Sequence, residues 1–171
     1  VLLDVREKRV HPLDAMKRLF QVCAAPSVFA LPGQAFEPGP KLRWLSQRIL
    51  EIHQRGERAV VFAEWYVVQD LLASGLSALL NEPVDRINGA VDTGFRLAKI
   101  DAFNQGRNGT VMILSPRAAG VGLNITGANH VFHFTRHWNP ALEAQATDRV
   151  YRIGQTRPVT VYRPVMTHPH L

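Results

Sequence analysis

The chain has one cysteine, Cys23, in 171 residues. A single thiol excludes an internal disulfide framework and any zinc site built from several cysteines, and it fits a reducing, intracellular setting. Long apolar runs are also missing. The uncharged stretch Ala118 to Thr135, which no other exceeds in length, contains Gly, Asn, Thr and His and is too polar for a membrane-spanning helix. The opening VLLDVREKRV has acids and bases where a signal peptide would have an apolar segment. Neither G-x-x-x-x-G-K-[ST] nor G-x-G-x-x-G occurs, so there is no Walker A loop and no dinucleotide fingerprint. There is no initiator Met, and the final MTHPHL comes just after a strand-like segment. The reading is a fragment of a larger protein.

What is present describes a folded domain. Hydrophobic residues are 46% and charged residues 20%, which argues against disorder. The net charge of +6 suggests a polyanionic partner. Its distribution is uneven. Residues 1–106 carry 13 basic and 12 acidic side chains, and residues 107–171 carry 7 basic and 2 acidic. All seven are arginines: Arg107, Arg117, Arg136, Arg149, Arg152, Arg157 and Arg163. The planar, permanently charged guanidinium suits phosphate better than the point charge of lysine.

Periodicity predicts alternating elements. Helix is expected over His11–Val22, with Leu13, Met16, Leu19 and Phe20 as an apolar stripe, and over Lys41–Gln54, with Leu42, Leu45, Ile49 and Ile52. The prolines and glycines of Pro26 to Pro40 predict a linker. Strands are expected at Ala59–Ala63, Val84–Ile87, Thr110–Leu114, His130–Phe134 and Val159–Tyr162. Helices are expected at Glu64–Leu80, at Asp92–Phe103 with Asp92 as N-cap, and from Asn139-Pro140 to about Tyr151. Such alternation implies a parallel sheet covered on both faces. Function in such sheets gathers at the strands' carboxyl ends.

Three stretches carry chemistry. In Gln145–Gln155, a helix would bring Gln145, Arg149 and Arg152 to one face at i, i+4 and i+7. Ala146, Val150 and Ile153 would form its buried side. An amide and two arginines aimed together suit a triphosphate, and Asp148 could hold one arginine in place. A solvated polar helix face is the plainer alternative. Ser115–Gly127 follows a strand and is glycine-rich, so backbone N–H groups could approach a phosphate or ribose closely. A turn shaped by packing would look the same. Thr135–Pro140 carries Trp138 between His137 and Asn139, suited to a nucleic-acid groove or base face, or to covering a helix start. A metal site at His130, His133 and His137 is rejected, because His130 and His133 point to opposite faces of a strand. Glu64 is a weak candidate for a catalytic carboxylate, since nothing pairs with it, and Cys23 is expected to be a small buried hydrophobe.

Taken together, the run VMILSPRAAGVGLNITGANHVFHFTRHWNPALEAQATDRVYRIGQTRPVTVYR strongly resembles the second half of the motor of Swi/Snf-type, superfamily 2 ATP-dependent DNA translocases. Ser115 through Thr126 resembles that family's motif V and Gln145 through Gln155 its motif VI, with its W-N-P signature at Trp138-Asn139-Pro140. Ala59–Leu72 resembles motif IV, and Arg86-Ile-Asn-Gly89 the R-x-x-G element. Leu13–Pro26 is similar to the helix-C-x-x-P stretch that precedes this lobe. Where motif IV often reads F-S-Q-F, this chain has Phe62-Ala63-Glu64-Trp65. A carboxylate at 64 would repel phosphate unless paired.

The resemblance implies an α/β fold, a RecA-like (P-loop NTPase-like) three-layer sandwich with a mostly parallel sheet and no Walker A in this lobe. Residues 1–40 would be an inter-lobe helix and linker. Residues 41–171 would be the helicase C-terminal lobe, ending before the brace helix. ATP with Mg would be bound mainly by an absent first lobe. Arg149 and Arg152 would act as arginine fingers, Gln145 would position them or the attacking water, and Gly120, Gly122 and Asp148 would belong to the nucleotide side. Ser115, Arg117, Arg86, Gly89 and Trp138 would meet DNA. The implied partners are double-stranded DNA, the N-terminal RecA-like lobe and DNA-bound proteins, with no membrane. The implied setting is cytoplasmic or nucleoid in a bacterium and nuclear in a eukaryote. The competing expectation is a non-catalytic DNA- or protein-binding module. A dinucleotide-dependent oxidoreductase fails on glycine spacing.

Overall fold

The computed structural model describes residues 11–25, 38–89, 92–118, 122–137 and 139–166. In chain order the elements are α1 (Pro12–Ala24), α2 (Pro40–Gln54), β1 (Ala59–Phe62), α3 (Tyr66–Leu80), β2 (Asp85–Ile87), α4 (Thr93–Asn104), β3 (Val111–Leu114), β4 (His130–His133), α5 (Pro140–Asp148) and β5 (Thr160–Tyr162). The strands form one parallel sheet in the order β2-β3-β1-β4-β5.

Local chemistry sets the helix boundaries. Pro40 opens α2 behind the extended Gly39, and the stripe Leu42, Leu45, Ile49 and Ile52 is buried. Asp92 caps α4 by accepting the Gly94 N–H, and Asn139 caps α5 by accepting the Ala141 N–H at 3.0 Å. Helix α3 starts at Tyr66, two residues later than its periodicity predicts, because Trp65 is extended as its N-cap. It ends on Asn81 in the left-handed region, φ 54°.

The short central strand β1 is buried on both faces, and side-chain alternation divides the core. Val61 points to a layer made by α2 and α3, with Leu45, Ile49, Leu72, Leu76 and Phe132. Val60 and Phe62 point to the other layer, with Ile100 and Phe103 of α4, Leu123 and Ile125 of the β3–β4 connection, and Ala146 and Val150. The result is the expected three-layer sandwich. Each fully buried Val, Ile, Leu or Phe side chain contributes about 1.5–3 kcal/mol.

In-register pairing aligns the strand ends. Phe62 lies opposite both Leu114 and His133, and Leu114 opposite Ile87. The ladder continues past the strands through Ala63 N–H to Leu114 O at 2.9 Å, Ser115 N–H to Ile87 O at 3.0 Å and Phe134 N–H to Phe62 O at 3.0 Å. Glu64, Gly89, Ser115 and Thr135 therefore emerge along one rim. At the opposite rim, Arg58 stacks on the Phe103 ring and donates to the carbonyls of Phe103, Asn108 and Gly109, fastening α4 and the turn before β3 to β1.

Cys23 is exposed rather than buried, because α1 turns it away from the contact that buries Ala24 and Ala25. In the predicted stripe of α1, Met16, Leu19 and Phe20 are largely exposed, while the Leu13 side chain lies outside the described residues, as do Pro26 to Glu37 of the predicted linker.

Two glycines separate packing from propensity. A Cβ at Gly127 would lie 2.7 Å from Asn104 Cα and 2.9 Å from Phe103 O, whereas one at Gly75 in α3 meets nothing within 4 Å. Gly127→Ala is expected to destabilise the protein by about 1–3 kcal/mol, and Gly75→Ala to stabilise it by about 0.5–1 kcal/mol. Urea unfolding of the two variants checks both signs.

Candidate functional site

A cleft of about 490 Å³ opens at the carboxyl ends of β1, β2 and β3. Glu64, Gly89, Ser115 and Arg117 line it from the rim, Arg96 reaches it from α4, and Lys17 of α1 overhangs it. Glu64 is not unpaired, as the sequence suggested. Arg117 Nε forms an ion pair with its Oε1 at 3.3 Å, a pairing made by the strand-end alignment and invisible at a sequence separation of 53. The Glu64 N–H donates to Thr135 Oγ1 at 2.8 Å, joining the ends of β1 and β4. Ser115 is buried, and its hydroxyl accepts the Ala118 N–H at 3.2 Å.

Past β4, a buried carboxylate organises the rim. Glu143 in the first turn of α5 is 3% exposed. It accepts Arg136 Nε at 2.9 and 3.2 Å and the His137 N–H at 2.8 Å, and Arg163 Nε from the end of β5 lies 3.8 Å away. Burial pushes its carboxyl up, but the hydrogen bonds from Arg136 and His137 and the nearby positive charge outweigh that and hold it below the usual carboxylate range. His137 Nδ1 in turn accepts the Asn139 N–H at 3.0 Å. Both neighbours of Trp138 are thus fastened, while Trp138 lies outside the described residues.

His133 lies behind this loop, stacked on Phe62 at 5.3 Å between centroids. The Thr147 hydroxyl donates to Glu143 O at 3.1 Å, so it accepts from His133 Nε2 at 2.8 Å, which fixes the neutral ring with its proton on Nε2. Burial pushes the imidazole down to about 4.

The glycine-rich connection runs from the cleft to the end of α5. It begins at Ser115 and Arg117, and Gly122 is exposed with φ 58°. Gly120 lies outside the described residues. Farther on, the Ile125 N–H donates to Arg149 O at 2.8 Å, Asn104 Nδ2 donates to Asn124 O at 2.8 Å, and Gln155 Nε2 donates to Ala128 O at 2.6 Å. These bonds explain a departure from the predicted helix, which stops at Asp148 instead of about Tyr151. With the Arg149 carbonyl bound to Ile125, the chain turns, aided by Gly154 at φ 103°. Gln145 and Arg149 share a face of α5, Gln145 being exposed and Arg149 half-buried. Arg152 lies past the helix, so the i+7 relation does not hold for it. Ile153 is 96% exposed rather than buried, and Val150 is the last residue of the buried side.

The chain matches the Helicase conserved C-terminal domain family over residues 40–154. It is 35% identical over 164 residues to YwqA of Bacillus subtilis, covering 94% of this chain and 18% of that protein. Helicase SWR1 of Eremothecium gossypii is 34% identical over 174 residues, covering 95% and 12%. The Sulfolobus solfataricus SWI2/SNF2 ATPase core in complex with dsDNA superposes with a TM-score of 0.74 at 31% identity, covering 88% of this chain and 31% of that one. The chain belongs to the helicase C-terminal domain family, as the second, RecA-like lobe of its Swi2/Snf2 branch. It spans less than a fifth of the length of these two relatives.

In this helicase lobe the remaining predicted residues lie as follows. Arg86 on the edge strand β2 is paired with Asp70 of α3. Gly89 follows β2 at the cleft, its carbonyl accepting Arg96 Nη2 at 3.2 Å. Asp148 is exposed and, among the described residues, holds no arginine in an ion pair. His130 and His133 face opposite layers, as alternation requires: His130 bonds Glu57 and Tyr162, and His133 bonds Thr147. No helix among the described residues is long and apolar enough to cross a membrane.

The organising roles of Glu143, Thr147, Asn104 and Gln155 were not read from the sequence. A trace existed for Glu143, one of only two acids among the last 65 residues.

His133 gives the lobe a pH dependence of defined sign. The unfolded chain protonates below pH 6.5, whereas the folded imidazole stays neutral down to about 4, so stability is present above 6.5 and lost as pH falls through that window. A loss of roughly 2 kcal/mol between pH 7 and about 5 is expected, and His133→Leu should flatten it. Urea midpoints across that range measure the slope.

Proposed function

We propose that this lobe serves a motor that hydrolyses ATP to translocate along double-stranded DNA and remodel proteins bound there. The connection 115–127 carries this reading. One end lies in the cationic cleft and the other is hydrogen-bonded to the backbone of Arg149. A shift at a DNA phosphate and a shift at an ATP phosphate would thus move the same segment.

ATP with Mg is bound mainly by the first lobe in this reading. Arg152 supports its own part: it is exposed, has no carboxylate within ion-pair distance among the described residues, and lines a hollow of about 700 Å³ with Arg157. Arg149 and Arg152 meet the transferring phosphoryl group as arginine fingers and stabilise its developing charge. Gln145, on the same face as Arg149, orients the attacking water or the fingers. Gly120 and Gly122 line the nucleotide side, and Asp148 adjoins the fingers. Ser115, Arg117, Arg86, Gly89 and Trp138 follow the DNA backbone and groove. The dsDNA complex of the archaeal relative and the Helicase name of SWR1 support the partner and the activity class.

In the full-length protein, Arg149→Ala and Arg152→Ala should each lower DNA-stimulated ATP turnover by about 10³-fold or more while leaving nucleotide binding largely intact. Steady-state hydrolysis and fluorescent-nucleotide titration separate the two effects, and wild-type turnover in either variant would refute the assignment. The 171-residue chain alone is expected to hydrolyse no ATP.

Glu64 tempers the DNA surface by holding Arg117. Glu64→Gln should therefore tighten dsDNA binding and steepen the slope of log affinity against log salt by about 0.9, one phosphate contact. Arg117→Ala should do the reverse, and fluorescence anisotropy over a salt series reads both.

A further inference from the structure

Lys41 differs from the chain's other described lysines. Lys99 pairs with Asp85 at 2.5 Å, and Lys17 is exposed. Lys41 is 8% exposed, and among the described residues it has no hydrogen bond or ion pair. Its Nζ lies 5.1 Å from the centroid of the Phe134 ring. It opens onto a groove of about 540 Å³ lined by Trp44, Tyr162, Arg163 and Pro164. The charged and titratable groups around it are Cys23 from α1, Arg136 from the loop after β4, Glu143 from α5, and Arg163 across the groove.

We propose that Lys41 is an acylation site, taking acyl groups from small acyl phosphates that enter this groove. The neutral Nζ attacks the carbonyl carbon. The N–C bond forms, the C–O bond to phosphate breaks, phosphate leaves with the electron pair, and the proton from nitrogen passes to water. Arg163, which lines the groove, favours an anionic donor over a neutral ester. The product amide is uncharged and relieves the burial of an unpaired cation.

Reactivity has a physical source. Burial weakens the amine's hold on its proton most, Cys23 opposes this, Arg136 adds to it and Glu143 opposes it, leaving the amine at about 8. At pH 7.5 such an amine is neutral about a quarter of the time, against about 0.1% for an ordinary lysine.

The test treats the protein with acetyl phosphate between about pH 6.5 and 9.5 and follows each lysine by peptide mass spectrometry. Lys41 should acetylate at least tenfold faster than Lys17 and Lys99 at pH 7.5, with a rate that levels off above about pH 8.5. Arg163→Ala should slow acetyl phosphate at Lys41 while leaving the neutral reagent p-nitrophenyl acetate unchanged. A Lys41 rate no greater than that of Lys17, a rate still rising at pH 9.5, or equal slowing with both reagents would each overturn the proposal.

Discussion

Strand β1 pairs in parallel with β3 on one side and β4 on the other, and the placement of every candidate residue at the rim depends on that pairing. Because Phe62 is level with both Leu114 and His133, the segments that follow leave the sheet together. Glu64 can then pair its carboxylate with Arg117 of one neighbour and donate its N–H to Thr135 of the other. A one-residue slip would exchange the two faces of β1 and expose Val61 or Phe62 to the wrong layer. With both faces buried, that slip carries the burial energy of several large side chains. Register in this core is therefore also register at the cleft.

A second constraint operates between loops. The Ile125–Arg149 main-chain bond takes the carbonyl that helix α5 would need for another turn. The Gln155 and Asn104 side chains bind adjacent backbone in the same connection. Each bond alone contributes about 0.5–1.5 kcal/mol, but together they fix the connection relative to α4 and to the arginine segment. Motion in one is thereby constrained to accompany motion in the other, as the proposed coupling of two ligands requires. Glu143 does comparable work beyond β4, where one buried carboxylate gathers Arg136, His137 and Arg163.

What could be read from the sequence follows the range of the forces involved. Element types and the sheet's parallel character come from local periodicity and caps, and they agree with the fold: Asp92 and Asn139 cap where their spacing says they should. The family resemblance rests on contiguous runs and agrees with the match over residues 40–154. Errors arose where a distant partner decides the outcome. Helix α5 loses its last turn to Ile125, 24 positions earlier, and Ile153 leaves the buried side with it. Glu64 gains Arg117 from another strand end, and Cys23 faces solvent because Ala24 faces the core. Periodicity carries no information about these pairings.

The same principle revises the meaning of net charge. The net charge, with five of its six positive units after residue 106, suggests a polyanionic partner. Arg136 and Arg163 share Glu143, and Arg117 is held by Glu64, so three of the seven arginines already have carboxylates within 4 Å. A guanidinium so engaged must lose part of that interaction before it can neutralise a phosphate, and it releases correspondingly fewer counterions. Arg107, Arg152 and Arg157 have no such carboxylate among the described residues. The polyanion-binding capacity is therefore set by which arginines the fold leaves uncompensated. Glu64 and Glu143, rather than the arginine count, determine that division.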